Sequence, residues 1–285
     1  MPSTDMQEAR GLRDAQLEAI AALERRVVAH DGGRLKLEWS VLRERDPAEV
    51  NDLLAWDGEM LAGFCGLYSF GSEPELSGAV DPQYRRRGVG TALLARATEL
   101  IRERGHPTVL LVTPRTTDAG RRFAEARGAT FHHAEHHMDL AGDPVGPPAP
   151  QAATAGLVVR PAVHADHDAI VSILADAFGH GGESAGASGP QDVAFVATRE
   201  STVVGALRLS FETGSAGVYG FAVHSTLRGK GIGRAVLYEV CLEARRRGAG
   251  TVTLEVEVDN DHALGLYTSV GFERRTTEDY FRLTL

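Results

Sequence analysis

Cysteine is scarce: the 285 residues contain two, Cys65 and Cys241, each inside an apolar segment. That count argues against a disulfide framework or a cysteine-built metal site and points to reduced core thiols in a cytoplasmic protein. A surplus of positive charge is missing too. With 39 acidic against 30 basic side chains the formal net charge is −9, which speaks against a generic nucleic-acid binder or a protein held on anionic lipid. No uncharged apolar run is long enough to span a bilayer, and the first ten residues carry no hydrophobic signal core. What is present, 43% hydrophobic and 24% charged residues, suits two ordinary globular domains.

Periodicity gives a mixed α/β chain. The spacing predicts a helix over 13–30, a strand over 35–42, a hairpin of 53–56 and 61–70 around Asp57-Gly58, and a strand over 76–80. A glycine loop, a helix ending at Gly105, a strand over 109–112, a helix over 118–127 and a strand over 131–140 follow. Residues 141–156, rich in Pro and Ala, lack any core periodicity and read as a linker between domains at 1–140 and 157–285. The second half is expected to run strand 157–160, helix 165–178 with Asp166 as a cap, a Gly/Ser-rich lid at 179–190, and strands 193–198, 203–211 and 218–223. Strand 252–258, helix 261–270 and a closing pair of strands within 272–285 complete it.

The most informative stretch lies between strand 218–223 and the helix after it: Arg228-Gly-Lys-Gly-Ile-Gly233. Glycine at alternate positions lets backbone N–H groups turn inward over a helix N-terminus, where unpaired donors and the helix dipole favour an anion. A Walker loop needs Ser or Thr after the lysine, and Lys230 is followed by Gly231; a dinucleotide fingerprint needs glycine at 234, which is Arg234. The first half carries a counterpart, Arg85-Arg-Arg-Gly-Val-Gly90, 143 positions earlier, and the helix-ending glycines Gly128 and Gly271 are also 143 apart. One offset shared by a loop, a helix, a strand and a helix end indicates an internal duplication.

The loop Arg228-x-x-Gly231-x-Gly233, together with Asn260, Ala263, Leu266-Tyr267 and Gly271-Phe272, resembles the signatures of the GCN5-related N-acetyltransferases, well over 157–285 and in outline over 53–140. The resemblance implies two tandem domains of that family, each a mostly antiparallel central sheet flanked by helices. It further implies acetyl-CoA as donor, no metal, and a small-molecule or peptide amine as acceptor, acetylated by direct attack in a ternary complex. Coenzyme contacts would come from Phe221, Ala222, Val223, Arg228, Gly229, Lys230, Gly231, Ile232, Gly233, Asn260 and Tyr267. Val80, Arg85, Arg86, Arg87, Gly88, Val89 and Gly90 would do the same in the first half. Tyr267 would return a proton to the leaving thiolate, and a core aromatic is the competing reading of that residue.

Many relatives carry a glutamate where this chain has Gly217, so the base falls to Glu255, which resembles the glutamate of ribosomal-protein alanine acetyltransferases; a solvated strand glutamate is the alternative. The offset pairs Glu255, Asn260 and Tyr267 with Val112, Thr117 and Ala124, so the first domain is expected to be catalytically silent. A tandem pair with one working half also resembles mycothiol synthases, and a non-catalytic acyl-CoA-binding regulator is a third reading. Glu183, Glu278 and Asp279 are candidates to attract a cationic acceptor. Four histidines at 132, 133, 136 and 137 alternate between strand faces, which splits them as a metal site. Arg245-Arg-Arg247 reads as a solvated helix end.

Overall fold

The computed structural model describes residues 4–69, 73–147, 154–178 and 191–285. In order, the elements are β1 (Asp5–Ala9), α1 (Asp14–Asp31), α2 (Trp39–Arg43), β2 (Asp52–Asp57), β3 (Met60–Tyr68), β4 (Glu75–Val80), α3 (Val89–Glu103), β5 (Thr108–Pro114), α4 (Asp118–Ala126) and β6 (Thr130–Leu140). The chain continues with β7 (Leu157–Pro161), α5 (His167–Phe178), β8 (Asp192–Arg199), β9 (Thr202–Glu212), β10 (Ser215–Val223), α6 (Ile232–Arg246), β11 (Thr251–Glu257), α7 (Asp261–Val270) and β12 (Phe272–Thr284). No described helix is long and apolar enough to cross a membrane.

Two compact units emerge, and their boundary differs from the one composition suggests. Unit 1 holds Met1–Ala134 and Thr276–Leu285; unit 2 holds Glu135–Arg275. In unit 1 the strands run β1-β2-β3-β4-β5 and then the end of β12; in unit 2 they run β6-β11-β10-β9-β8-β7. Each repeat therefore has its last strand supplied by the other repeat. The reason lies in pairing: Glu278–Thr284 lie antiparallel to Thr108–Pro114, whereas Glu135–Asp139 lie antiparallel to Thr253–Glu257. Among the described pairings within each unit, β4 with β5 and β10 with β11 are parallel and the others antiparallel, so the sheets are mixed.

In unit 2 the strands present Val218, Val252, Leu254 and Val256 to one face, where they meet Ile232, Val236, Leu237, Val240 and Cys241 of α6. The helical spacing of those α6 residues explains the match. On the other face α5 seats Ile173 and Leu174 against Ala206 and Ala222. In unit 1, α3 covers one face through Leu93, Leu94, Ala97 and Ile101, and α1 the other through Ile20, Leu23 and Val27.

Three elements depart from the sequence reading. Residues 35–42 form no strand: Leu35, Lys36 and Leu37 are all buried, so side chains on both sides of the alternation are used up, and α2 then buries Leu42. β1 escaped notice because only Ala9 of its five residues is buried, as befits an edge strand. The closing pair of strands is one long strand, β12. The lid expected at 179–190, with Glu183, lies outside the described residues.

Candidate functional site

In unit 2 the loop between β10 and α6 takes the form an anion would need. Gly231 caps α6 in the left-handed region at φ 79°, preceded by Gly229 at φ 73°. The first hydrogen bond of the helix turn runs from Ala235 N to Gly231 O, so the preceding amides at the loop are not used inside the helix. Arg228 Nε donates to Val223 O at 2.9 Å, and its guanidinium also reaches Asp176 at 3.4 Å. Lys230 Nζ closes the loop on Thr226 O at 2.9 Å. The Ile232 side chain is core, 1% exposed, leaving its backbone as the part that faces the loop. At Gly233 a Cβ would sit 3.3 Å from Leu266 Cδ2 of α7 and 3.8 Å from Phe221, so α7 packs against the loop.

Beside the loop the sheet opens. β10 and β11 pair in parallel only from Ser215–Val218 opposite Thr251–Leu254, although both strands continue, to Val223 and Glu257. The ladder of β10 with β9 also shifts between Tyr219 and Ala222, opposite Arg208 and Ala206. Two residues, Gly220 and Phe221, thus oppose Leu207 alone, a β-bulge of the kind that re-aims backbone groups. Gly220 has φ 56°, a conformation that L side chains avoid. Phe221 and Val223 pack into the core under α6 while Ala222 faces α5; what this stretch can present to a ligand is main chain.

Tyr267 packs half-buried against the α6 core, its ring 6.2 Å from that of Phe272. Burial pushes its phenol up to about 12, so it stays protonated at neutral pH. Its hydroxyl has no hydrogen-bond partner among the described residues. Glu255 projects from β11 on the face opposite Leu254 and Val256, directly across from His137, with Oε1 3.7 Å from His137 Nδ1. Asn260 is the N-cap of α7, its Oδ1 accepting from Ala263 N at 3.1 Å, a structural duty that fixes where the helix starts. Both cysteines are buried, their thiols pushed up to about 12 by desolvation, and neither offers a nucleophile.

At Gly217 the space a side chain would need is already occupied. A Cβ there would lie 2.5 Å from Tyr219 Cε2; the Tyr219 ring lies over the glycine and is covered by the Arg208 guanidinium, 4.8 Å from its centre. Arg208 in turn is ion-paired with Asp192. Sequence reasoning missed this tyrosine–arginine–aspartate set, since β8, β9 and β10 bring together residues that no motif links.

The first half repeats the framework with other side chains in it. Gly88 caps α3 at φ 90°, and Arg85 Nε donates to Val80 O at 3.1 Å, as Arg228 does to Val223. Yet Arg85 is also gripped by both oxygens of Asp31, at 2.9 and 2.6 Å, and holds that carboxyl below its ordinary range. Arg86 takes the left-handed φ of 62° where the second loop has Gly229, at a cost of about 1–2 kcal/mol. Gly90 faces Val80 and Phe123, and Val89 is core. Arg87 stacks its guanidinium over Tyr84 at 5.4 Å. The β3–β4 ladder runs from Gly63–Val80 to Tyr68–Glu75 with no bulge.

Thr117 caps α4 as Asn260 caps α7, but Ala124 is wholly buried. Opposite Val112 stands Tyr280, 1% exposed, stacked on His133 at 4.2 Å and bonded by Lys36 Nζ at 2.5 Å. Glu278 and Asp279, read as attractants for a cation, are instead buried and paired with Arg34 at 3.4 Å and Arg115 at 2.6 Å. No group of three or more metal-ligating side chains occurs among the described residues. Arg245 is not merely a solvated helix end, since it donates to Ala249 O and Gly142 O, each at 3.1 Å.

The model of the acetyltransferase (GNAT) family matches this chain twice, at residues 15–129 and 165–272. A mycothiol acetyltransferase of Kytococcus sedentarius is 30% identical over 283 residues, covering 92% of each chain; that of Thermobispora bispora is 30% identical over 290 residues, 93% of this chain and 95% of the relative. The N-alpha-acetyltransferase RimI of Mycobacterium tuberculosis is 49% identical over 57 residues, 20% of this chain and 34% of the relative. In fold the chain is similar to a GCN5-related N-acetyltransferase from Sphaerobacter thermophilus, with a TM-score of 0.79, 23% identity and coverage of 99% and 95%. A tandem GNAT protein of clavulanic acid biosynthesis gives a TM-score of 0.73 at 20% identity, with 99% and 98% coverage.

Proposed function

Since the chain belongs to the GNAT family of acetyltransferases, whose donor is acetyl-CoA, we propose that unit 2 transfers acetyl from that donor to a primary amine, while the first repeat is catalytically silent. The observation that carries this reading is the opening between β10 and β11 beyond Val218 and Leu254, bordered by a bulge and leading to the glycine loop. The amides from Gly229 to Gly233 would hold the pyrophosphate, with Arg228 and Lys230 adding charge. The pantetheine arm would then lie along 219–223 and pair with the main chain that β11 leaves unpaired. An N–H near Ala222 or Val223 would polarise the thioester carbonyl as negative charge develops on its oxygen.

In the transfer, Glu255 takes a proton from the ammonium, and the freed nitrogen attacks the carbonyl carbon. The new C–N bond forms, the C–S bond breaks, the thiolate receives the Tyr267 proton, and the second proton that the acylated nitrogen must lose returns to the Tyr267 phenolate through water, leaving a neutral amide. Neither cysteine takes part. In unit 1, Tyr280, held by Lys36 and stacked on His133, takes the place that His137 has in unit 2, and Val112 takes that of Glu255, which supports the silent assignment. The four carboxylates on the open face of β6 and β11, Glu135, Asp139, Glu255 and Glu257, suit an acceptor that arrives as a cation.

A second reading of the acceptor, that of the mycothiol acetyltransferases, is favoured by relatives named so that match more than nine-tenths of the chain. The test is to incubate purified protein with acetyl-CoA and an amine panel that includes the acceptor of those enzymes, then follow by mass spectrometry the gain of one acetyl group. Acetylation of an amine, lost in Glu255→Gln, is the expected result. Tight acetyl-CoA binding with no acetylated amine across the panel would favour a regulator that binds without turnover.

A further inference from the structure

β6 and β11 lie antiparallel with His137 opposite Glu255 and Asp139 opposite Thr253. Side chains two apart on a strand share a face, and directly opposed residues meet across it, so Asp139, His137 and Glu255 form one row. His137 Nδ1 is 3.7 Å from Glu255 Oε1, His137 Nε2 is 3.2 Å from Asp139 Oδ1, and Asp139 Oδ2 is 3.3 Å from Arg275 Nε. Side-chain exposure falls from 47% at Arg275 through 26% at Asp139 to 16% at His137, and is 20% at Glu255. The row thus leads from solvent to the carboxylate.

Two atoms in it are buried without a hydrogen bond: His137 Nδ1 and Asp139 Oδ1. Buried polar atoms left without a hydrogen bond cost about 1–3 kcal/mol each; here Nδ1 faces the Glu255 carboxylate at 3.7 Å and Asp139 Oδ1 faces the other ring nitrogen at 3.2 Å. A lone pair on Nδ1 has nothing to accept while Glu255 is a carboxylate; once Glu255 carries a proton, an O–H stands before it. Other charged groups on this face are Glu135 of β6 and Glu257 of β11, opposite each other, and Glu273, 3.4 Å from Arg275 on β12.

We propose that His137 is the positioning and relay residue for Glu255: it orients the carboxylate and draws off the proton that Glu255 takes from the amine. The step balances. The amine N–H breaks as the carboxyl O–H forms; that O–H breaks as Nδ1–H forms; and the Nε2–H of the resulting imidazolium, facing Asp139, passes its proton to water at the Arg275 end. No oxidation state changes. This rests on Glu255 being the base, and it adds what the first repeat's sequence hides, that the base's neighbour comes from 130–140.

The test uses the full chain labelled with ¹⁵N-histidine, the His137 signals being assigned by their loss in His137→Gln. Replacing Glu255 by Gln should move the His137 Nδ1 resonance, and ring-nitrogen signals that do not respond would overturn the inference whether or not an acceptor is known. With an amine that the protein acetylates, His137→Gln should lower kcat by about 10–100-fold and leave the KM for acetyl-CoA unchanged. In His137→Gly, added imidazole should restore part of the rate, which a merely structural residue would not permit. A His137→Gln rate within twofold of wild type would also overturn it. If no amine is acetylated but the nitrogen signals respond, the proposed function fails while the coupling of the two side chains stands.

Discussion

Replacing Tyr267 with Phe removes one oxygen from a half-buried ring and leaves its packing against Phe272 and the α6 core in place. The hydroxyl has no hydrogen bond among the described residues, so its loss orphans no partner and the fold should hold to within about 1 kcal/mol. The chemistry is another matter. In the proposed transfer a phenol pushed up to about 12 by burial protonates a thiolate of lower ordinary pKa, an uphill step at about 1.4 kcal/mol per unit of difference that fits inside the barrier of about 16 kcal/mol for a step at about 10 per second. Without the acid, turnover should fall about 10²–10⁴-fold.

Steady-state release of the thiol product gives kcat, and calorimetric titration gives the affinity for acetyl-CoA, which should change less than twofold. An independent check is alkaline stability. A phenol whose folded pKa is raised contributes stability that is present below about 10 and lost as pH rises through about 12, so Tyr267→Phe should lose less stability over that window than wild type. Turnover within threefold of wild type would refute the acid role. A parallel fall in turnover, affinity and thermal stability would instead mark Tyr267 as packing.

Arg228→Ala should weaken acetyl-CoA binding about tenfold, the loss of one charge-assisted contact of about 1.4 kcal/mol, measured by titration at fixed salt. Arg85→Ala should leave the acetylation rate unchanged and lower the melting temperature, because it strips the bidentate partner from Asp31. Asp166, bonded by both guanidinium nitrogens of Arg160 and by Val163 N, is held down at about 2; its contribution is present above pH 4 or so and lost as pH falls through about 2. Melting curves over that range should therefore fall more steeply for wild type than for Asp166→Asn. Gly217→Glu should cost about 1–3 kcal/mol by overpacking against Tyr219, and a second change, Tyr219→Ala, should recover much of it in urea denaturation.

The duplicated loop, the two long covering helices and the central strands were legible because each depends on local rules: apolar spacing, glycine after a helix, alternation along a strand. Arg228, Gly231 and Tyr267 stood out as candidates for the same reason, each in a short motif, and their roles belong to the proposed function. What stayed hidden depends on pairing across the sheet. Alternation at 35–42 could not reveal that no strand lies beside it, and the Tyr219 ring over Gly217 involves a clash visible only once β10 is folded with its bulge. Glu278 and Asp279 looked available to a cation because their partners, Arg34 and Arg115, are over 160 positions away in sequence.

The exchange of closing strands links these failures. The unit of duplication is the repeat of 143, and it places His137 and Tyr280 in equivalent positions of β6 and β12. The unit of packing is different, because each of those strands completes the sheet of the other repeat. Divergence between the repeats therefore acts crosswise: a change at 137 alters the surroundings of Glu255, and a change at 280 alters those of Val112. An imidazole beside the carboxylate in one unit, and a buried tyrosine bonded by Lys36 in the other, are the two outcomes. It follows that a repeat excised at the 141–156 linker would carry the closing strand meant for its neighbour and lack its own, so that neither half alone would reproduce the neighbourhood of Glu255.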